Sequence, residues 1–335
     1  MGMSRLYFLR KLRSFNVCSR MLEIFSQSVV GSALYWAVDD DTTAMGSGKS
    51  KHQPPPPPPL LSKPWREIDW RDKQRALQSV RNYQPQTEDL QIRILLHGSN
   101  GAGKSSFINS VQSVLHDRMY TQALAANMFQ GSFTKKYITY KIPKGPGTFY
   151  PFVFNDIMGL HSKDGVLADD VKLAMKGHVK EGYTFNPHQT LSEDNQLYKR
   201  APTANDKVHV LVCVVSAAIS ELPDDTLNMI RDIRKEASDL GIPQVAVLTK
   251  IDEACPEIKE DVKNVYKVDY LKKKMEEFSA DVGIPMNCIF PVKNYSEEID
   301  LNSDVDSLIL SAMKHIINCG EDCISFQAYH SELLG

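Results

Sequence analysis

The sequence has few cysteines and no long apolar run. Its six cysteines are scattered over 335 residues, too few and too far apart for a disulfide-stabilised scaffold. Several lie in apolar segments that we expect to form strands, which favours reduced thiols inside a cytoplasmic protein. No apolar run reaches the roughly 20 residues that a transmembrane helix needs, so the sequence predicts no membrane-spanning segment.

A large charge of one sign is missing as well. The 39 Lys and Arg residues nearly balance the 41 Asp and Glu residues, which leaves a formal net charge of −2. A chain this close to neutral has no general electrostatic attraction for nucleic acid or for an anionic membrane, so we expect neither as a partner. What is present is a hydrophobic content of 42%, enough for one or two globular domains.

The N-terminal segment differs in composition from the rest of the chain. Basic residues dominate it up to an aspartate triplet at 39–41, and an apolar stretch, VVGSALYWAV, occupies 29–38. Such a segment can be a targeting peptide, but its apolar stretch lies far from the N-terminus, so we favour a dispensable leader. The proline run that begins at Pro54 and ends at Pro59 predicts polyproline II, either as a stiff spacer or as a ligand of a proline-reading domain.

The tripeptide Gly-Lys-Ser occurs twice, and the residues around it separate the two copies. A phosphate-binding loop needs Gly, four residues and then Gly-Lys-Ser or Gly-Lys-Thr, after a buried strand and at the start of a helix. In the copy at 48–50, Thr43 replaces the first glycine and prolines follow, so this copy fails. The second copy passes, because the apolar run QIRILLH precedes it and a helical pattern follows. The predicted phosphate-binding residues are Gly98, Ser99, Asn100, Gly101, Ala102, Gly103, Lys104, Ser105 and Ser106.

From residue 88 onward, short apolar runs alternate with helical patterns. This alternation predicts an α/β fold with a mostly parallel sheet of six strands and helices on both faces. The expected strands are 91–97, 135–142, 149–156, 208–215, 244–249 and 287–292. The expected helices are 64–84, 104–116, 165–180, 223–239, 257–282 and 303–318. We therefore place a disordered leader and linker at 1–62, one folded domain at 63–320 and a C-terminal tail at 321–335.

A second motif follows the apolar run YPFVFN and predicts a Mg²⁺ site. Asp156 stands at the tip of this expected strand, where a carboxylate can hold the ion through water while Ser105 ligates it directly. The backbone N–H of Gly159, three residues on, is placed to contact a γ-phosphate. A threonine ahead of the second strand would complete the Mg²⁺ shell, and Thr134 is better placed for this than Thr139, which falls within the strand.

The end of the run QVAVLT predicts which base is bound. The carboxylate of Asp252 matches the N1–H and the exocyclic amine of guanine, two donors that adenine cannot offer together. Lys250 would lay its aliphatic stem along the base, while Thr249 stands where asparagine is usual. After the last expected strand, the backbone N–H of Val292, with Lys293 beside it, is a candidate donor to the guanine carbonyl. The predicted ligands are GTP or GDP with Mg²⁺, and the predicted fold is a P-loop NTPase resembling a G domain.

The residues at the positions that would assist hydrolysis are poorly suited to activating water. Leu160 occupies the position after Gly159, where small GTPases carry a glutamine that orients the attacking water. His161 follows and could approach that water, although a histidine at such a position is more often a surface residue. We predict a nucleotide-controlled switch with slow hydrolysis, accelerated by self-association or by a partner. The polar segment at 183–207 is longer than this fold requires and predicts a lid or a partner surface.

Two other functions stay open on these residues. The chain could hold nucleotide as a scaffold or interaction protein without turning it over, since Leu160 cannot activate water. It could also be a P-loop ATPase or kinase, if the pocket accepts adenine.

The motifs taken together resemble one known family. The segments PWREIDW, HGSNGAGKSSFINSV, SFTKKY, YPFVFNDIMGL and LTKID are similar to those of the interferon-induced protein 44-like family of guanine-nucleotide-binding proteins, over about residues 63–318. The resemblance implies a cytoplasmic protein induced by interferon and acting in antiviral or immune responses, with GTP as its ligand. It also implies nucleotide contacts from Gly98, Gly103, Lys104, Ser105, Asp156 and Asp252. Larger family members carry a folded domain ahead of this region, where this chain has the leader and the proline run.

Overall fold

The structure, a computed structural model, describes residues 60–87, 89–123 and 134–334, those from 330 on by their backbone alone. The leader and the run from Pro54 to Pro59 lie outside the described residues, so our expectations for them stay predictions. Among the residues that are described, no helix is both long and apolar enough to cross a membrane.

One sheet forms the centre of the described domain. Its strands are β1 (Ile92–His97), β2 (Ile138–Gly145), β3 (Thr148–Asp156), β4 (Val210–Ser216), β5 (Gln244–Thr249) and β6 (Ile289–Pro291). They lie in the order β2-β3-β1-β4-β5-β6. Strands β2 and β3 are antiparallel, and every other neighbouring pair is parallel. The predicted α/β fold is confirmed, and with a phosphate loop after β1 it is a P-loop fold like that of a G domain.

Eight α-helices are seen in the described part of the chain. They are α1 (Lys73–Arg81), α2 (Lys104–His116), α3 (Ala168–Met175), α4 (Asp224–Asp239), α5 (Ile251–Ala254), α6 (Pro256–Glu260), α7 (Asp269–Val282) and α8 (Ser303–Leu334). Short 3₁₀ turns lie at Ala204–Asp206, Val262–Tyr266 and Met286–Cys288. The expected helix at 104–116 is confirmed as α2, whereas α8 continues well past the expected end at 318.

Helices cover both faces of the sheet, which explains the continuous apolar strands. Ile94 and Leu96 of β1 pack in a cluster with α2 and α8, while Leu95 between them packs with α3, α4 and α7. Strand β4, with the sequence VLVCVVS, is buried along its whole length. Strands covered on both sides are expected to be apolar without alternation.

The prediction of a single helix at 257–282 is wrong, because the helix is interrupted at Asp261. This residue has an extended backbone (φ −145°, ψ 111°), and its side chain accepts a hydrogen bond from Lys263 N at 3.0 Å. Aspartate competes in this way with helical hydrogen bonding and so favours caps over helix interiors. The helix expected at 165–180 is also shorter as α3, since Gly177 takes a left-handed conformation (φ 84°) just beyond it.

The segment PWREIDW is not helical, although its sequence predicts a helix; helix α1 begins only at Lys73. Trp65 N donates to Tyr266 O at 3.0 Å, and the two rings pack edge to face at 5.1 Å. The Arg66 guanidinium donates to Ile289 O at 2.6 Å and also to the Met286 carbonyl. These contacts with distant residues outweigh the local helical preference, and they cover the β6 edge of the sheet.

Candidate functional site

The carboxyl ends of the parallel strands place the predicted motifs along one edge of the sheet. Strand β1 has β3 on one side and β4 on the other. The strands that come before β4 in the chain therefore lie on one side of β1, and those from β4 onward lie on the other. In open α/β sheets, ligands bind in the crevice at such a reversal point. The loop from Gly98 to Gly103 lies at the end of β1, directly before α2.

The phosphate loop has the backbone that its glycines predict. Gly98 has φ 132°, and a Cβ there would lie 2.0 Å from Val214 O, so no other residue fits without a shift of the backbone. Gly103 has φ 90° and is the residue from which α2 starts. The N-terminus of a helix of this length carries free N–H groups and positive potential, as an anion site requires.

Lys104 is buried and turned back over the loop. Its Nζ donates to Gly98 O at 3.2 Å and to Ser99 O at 3.1 Å. Burial lowers the pKa of this lysine, and the charge of Asp156 acts in the opposite direction. A phosphate bound in the loop would supply the negative charge that a buried ammonium lacks.

Three side chains form an oxygen-lined corner beside Lys104. Ser105 Oγ donates to Asp156 Oδ2 at 2.6 Å, and Thr134 Oγ1 donates to the same oxygen at 3.3 Å. The two hydroxyl oxygens are 3.4 Å apart. Asp156 is fully buried, burial raises the pKa of its carboxyl, and its Oδ1 has no hydrogen-bond partner within the described residues.

This corner fits a hard divalent cation. Hydroxyl and carboxylate oxygens are the ligands that Mg²⁺ takes beside a bound phosphate. Asp156 Oδ1 is left without a hydrogen-bond partner in the described residues, and burial raises the pKa of this carboxyl even though the charge of Lys104 acts to lower it. No group of three or more His, Cys, Asp or Glu side chains suited to a metal occurs in the described ranges. An ion in the corner would therefore be held by the two hydroxyls and the Asp156 carboxylate, together with oxygen atoms of a bound phosphate.

The residues after Asp156 lie against the phosphate loop. Leu160 N donates to Gly98 O at 2.9 Å, and a Cβ on Gly159 would lie 2.6 Å from Asn100 Cα. The Leu160 side chain is buried in the core beneath α3. His161 is half exposed, and its Nδ1 lies 2.5 Å from Asp164 Oδ1.

The segments predicted to hold the base also reach the loop. Thr249 Oγ1, fully buried, donates to Ala102 O at 2.6 Å and to Val215 O at 3.1 Å. Asn294 Nδ2, after β6, donates to Gly103 O at 3.2 Å. Two strand ends are thus fastened to the phosphate loop by side-chain hydrogen bonds.

Asp252 and Lys250 lie just beyond β5. Lys250 adopts a left-handed backbone (φ 57°), and α5 starts at the next residue. Asp252 Oδ2 is 3.7 Å from Lys293 Nζ, which also pairs with Glu298 at 2.9 Å. The aspartate is therefore on the same side of the sheet edge as the loop that contacts Gly103.

Val292 differs from the prediction. Its N–H donates to Leu248 O at 2.8 Å and so extends the β5–β6 pairing by one residue. A backbone group bonded in the sheet cannot also donate to a ligand. The prediction that the backbone N–H of Val292 donates to the guanine carbonyl is therefore wrong.

Sequence reasoning missed how the loop after β6 is held. Besides the bond from Asn294, the next residue, Tyr295, donates its N–H to Ser110 Oγ in α2 at 2.9 Å. The Tyr295 hydroxyl donates to Asp306 Oδ1 of α8 at 2.6 Å. An asparagine and a tyrosine after a short strand were the only sequence signal, and neither residue type shows which distant group it will bind.

Comparison with curated proteins gives similarity to one family. Human interferon-induced protein 44 is 34% identical over 250 residues, which is 73% of this chain and 56% of that protein. Human interferon-induced protein 44-like is 30% identical over 255 residues, 75% of this chain and 56% of that protein. The mouse interferon-induced protein 44 is 34% identical over 244 residues, 72% and 58% respectively. The chain spans little more than half the length of these relatives.

Solved structures and family models add weaker similarities. A dimerization-deficient mutant of Toc33 from Arabidopsis thaliana has a TM-score of 0.46 at 15% identity over 76% of this chain and 97% of its own. The complex of Toc33 with GDP and Mg²⁺ gives 0.43 at 13% over 75% and 97%. A probable GTP-binding protein engB gives 0.38 at 11% over 69% and 99%. The family model of the N-terminal region of alkylated DNA repair protein alkB homolog 8 matches residues 3–32 only, in the leader.

Proposed function

Since the chain is a homologue, over 73% of its length, of the interferon-induced protein 44 family, we propose that it binds guanine nucleotide with Mg²⁺ and works as a nucleotide-controlled switch. One observation carries the proposal. Motifs far apart in the sequence meet at the phosphate loop: Asp156 through Ser105, β5 through Thr249, and the loop after β6 through Asn294. A single ligand with phosphates at one end and a base at the other fits this arrangement.

The phosphate end of the site has a separate role for each residue. The N–H groups of the loop and the Lys104 ammonium would hold the phosphates, and burial makes the lysine a stronger partner for an anion. Ser105, Thr134 and Asp156 would hold Mg²⁺, which neutralises charge on the phosphates. Gly159 would contact a γ-phosphate through its N–H, because its lack of a Cβ permits its approach to Asn100.

The base end is the source of selectivity. The Asp252 carboxylate would accept from the two guanine N–H donors, and adenine would leave it unpaired. Lys250 would lie along the base by its methylene stem, and Lys293 would hold the aspartate in place through the contact at 3.7 Å. An unpaired carboxylate is worth a few kcal/mol of discrimination against the wrong base.

Hydrolysis is proposed to be slow. Leu160 is buried and offers no hydrogen-bonding group, so it cannot orient water. His161 pairs with Asp164 at the surface, and it is the candidate to act on water once the site is occupied. Self-association or a partner would then supply what the site lacks.

Two other functions compete with this one. A scaffold that never turns nucleotide over is favoured by the same burial of Leu160. A P-loop ATPase or kinase requires that Asp252 take no part in base selection. In keeping with the homology, we propose that the switch acts in an interferon-induced antiviral or immune response. The cytoplasm is its proposed location, which suits five free cysteines in the described region.

Titration of the full chain with GTP, GDP and ATP in Mg²⁺ tests the proposal. We expect both guanine nucleotides to bind and ATP to bind at least about a hundredfold more weakly. Lys104→Ala should abolish binding, whereas Lys273→Ala, an exposed lysine of α7, should leave it unchanged. Equal binding of ATP and GTP would favour the ATPase or kinase. Single-turnover hydrolysis of bound GTP then separates the switch from the inert scaffold.

A further inference from the structure

A short segment after α3 contacts both parts of the chain that approach the oxygen-lined corner. We call residues 181–191 the strap. It overlaps the first part of the long polar segment predicted at 183–207, yet three of its apolar side chains are buried. Tyr183, Phe185 and Leu191 are buried, with exposed fractions of 6%, 4% and 5%.

The strap is bonded by its backbone to the segment that follows Thr134. Tyr137 N donates to Tyr183 O at 2.8 Å, and Tyr137 O accepts from Gly182 N at 2.9 Å. Lys135 O accepts from Phe185 N at 2.9 Å. These three bonds form a small antiparallel pairing outside the main sheet.

A side chain strengthens this first attachment. Both carboxylate oxygens of Glu181 accept from Thr139 N, at 2.9 and 3.1 Å. Thr134 precedes the paired residues directly and donates to Asp156 at 3.3 Å. A displacement of Thr134 is therefore passed to the strap through a continuous, bonded stretch of backbone.

The other end of the strap is bonded to α3, which follows the Gly159 segment. Leu191 N donates to Asp170 Oδ1 at 2.8 Å, and Asp170 is fully buried. The second oxygen, Oδ2, has no hydrogen-bond partner within the described residues. A buried carboxylate with a single bond holds the strap to α3 at one point.

Apolar packing joins the two attachments. The Tyr183 and Phe185 rings meet edge to face at 5.3 Å. They belong to the same core cluster as Tyr137, from the first attachment, and Leu160, which follows Gly159. The strap thus rests on both segments that would meet a γ-phosphate, one through Thr134 and the other through Gly159.

We propose that the strap couples these two segments, so that the surface at 183–207 reports whether a triphosphate occupies the site. The inference rests on the proposed function, because it takes the γ-phosphate as the signal. When Thr134 and Gly159 both bind the same phosphate, both attachments of the strap are held in a fixed position relative to each other. With a diphosphate, neither segment is held by the ligand, and the strap opens locally more often.

Amide hydrogen–deuterium exchange of the full chain tests the coupling. A GTP analogue that resists hydrolysis, in Mg²⁺, should slow exchange at 134–140 and at 181–191 on the order of tenfold relative to GDP. In Asp170→Ala, which removes the acceptor of Leu191 N, the slowing should persist at 134–140 and be lost at 187–191. Asp169→Ala, on the exposed side of α3, and Asp170→Asn, which keeps Oδ1, should both behave like the unmodified chain.

A second variant covers the case in which Asp170→Ala fails to fold. Glu181→Ala removes an exposed carboxylate at the opposite end and should reduce the slowing at 181–186 and at Thr139, whose N–H loses its acceptor, while 187–191 keeps it.

The outcomes separate the two proposals. If the analogue binds and slows exchange at 134–140 while 181–191 is unaffected, the strap is a static part of the fold and the coupling is refuted. The proposed nucleotide binding stands in that case. If no guanine nucleotide binds, both proposals fail together.

Discussion

The buried Asp170 allows a quantitative prediction about stability. Burial raises the pKa of this carboxyl to about 6, and the charge of Asp169 acts in the same direction. The hydrogen bond from the N–H of Leu191 acts to lower the pKa. Asp170→Asn keeps the oxygen that accepts from Leu191 and removes the negative charge. We predict that this variant gains stability relative to the unmodified chain as the pH rises.

The sign follows from which state holds the proton. Below about pH 3, both the folded and the unfolded chain keep Asp170 protonated, and ionisation contributes nothing. Between about pH 4 and pH 6 the unfolded chain releases its proton while the folded chain retains it, so folding is progressively disfavoured. Above about pH 7 both are ionised, and the penalty stays at about 3 kcal/mol, because the folded pKa of about 6 lies above the unfolded pKa of about 4.

Urea unfolding of both chains at pH 5.0 and pH 7.5 measures the effect. The difference in unfolding free energy, variant minus unmodified, should rise by roughly 1.5 kcal/mol between these values, about half of the full penalty. Contributions from other titrating groups cancel in the difference, because the two chains share them. Asp169→Asn is the matched control, and its difference should change with pH far less, because the Asp169 charge is the smallest of the causes that set the pKa of Asp170.

A constant difference for Asp170→Asn across this range would refute the reasoning. It would mean that the carboxylate is solvated in the folded state, and the strap would then be less tightly closed over α3 than its bond to Leu191 indicates.

Three further changes test other contacts. Ser105→Ala should weaken GTP binding more in Mg²⁺ than in EDTA, about tenfold or more, since its hydroxyl faces the cation corner; paired titrations measure this. Thr249→Val should lower the unfolding free energy by about 1–3 kcal/mol by removing the buried hydroxyl whose proton is shared by the carbonyls of Ala102 and Val215, and Thr249→Ser should restore it. Gly98→Ala should abolish nucleotide binding, because a Cβ would lie 2.0 Å from a backbone oxygen; fluorescent-nucleotide binding shows this.

Much of the fold could be predicted because its signals are local. The run QIRILLH followed by Gly98 and Gly103 fixes a strand, a turn and a helix start within a few residues, and α2 has the predicted bounds. Parallel strands covered on both faces are apolar throughout, so their positions could also be read from the sequence. The meeting of Ser105 with Asp156 follows from that topology.

The parts that could not be predicted depend on distant residues. Nothing near Trp65 shows that Tyr266 will accept its N–H, so the segment could only be read as helix. Val292 differs from the prediction for the same reason, since only its pairing with Leu248 shows that its N–H is taken. The strap is a third case, because its partners Tyr137 and Asp170 are far away in the sequence and carry no motif.

The central claim is that one guanine nucleotide spans the site from Lys104 to Asp252. Parallel titrations of GTP and xanthosine triphosphate, in Mg²⁺, into the unmodified chain and Asp252→Asn test it most directly. An amide in place of the carboxylate should reverse the preference, with GTP losing and xanthosine triphosphate gaining on the order of a hundredfold, because xanthine presents an acceptor where guanine presents a donor. Unchanged selectivity in the variant would contradict the claim, since Asp252 would then not touch the base.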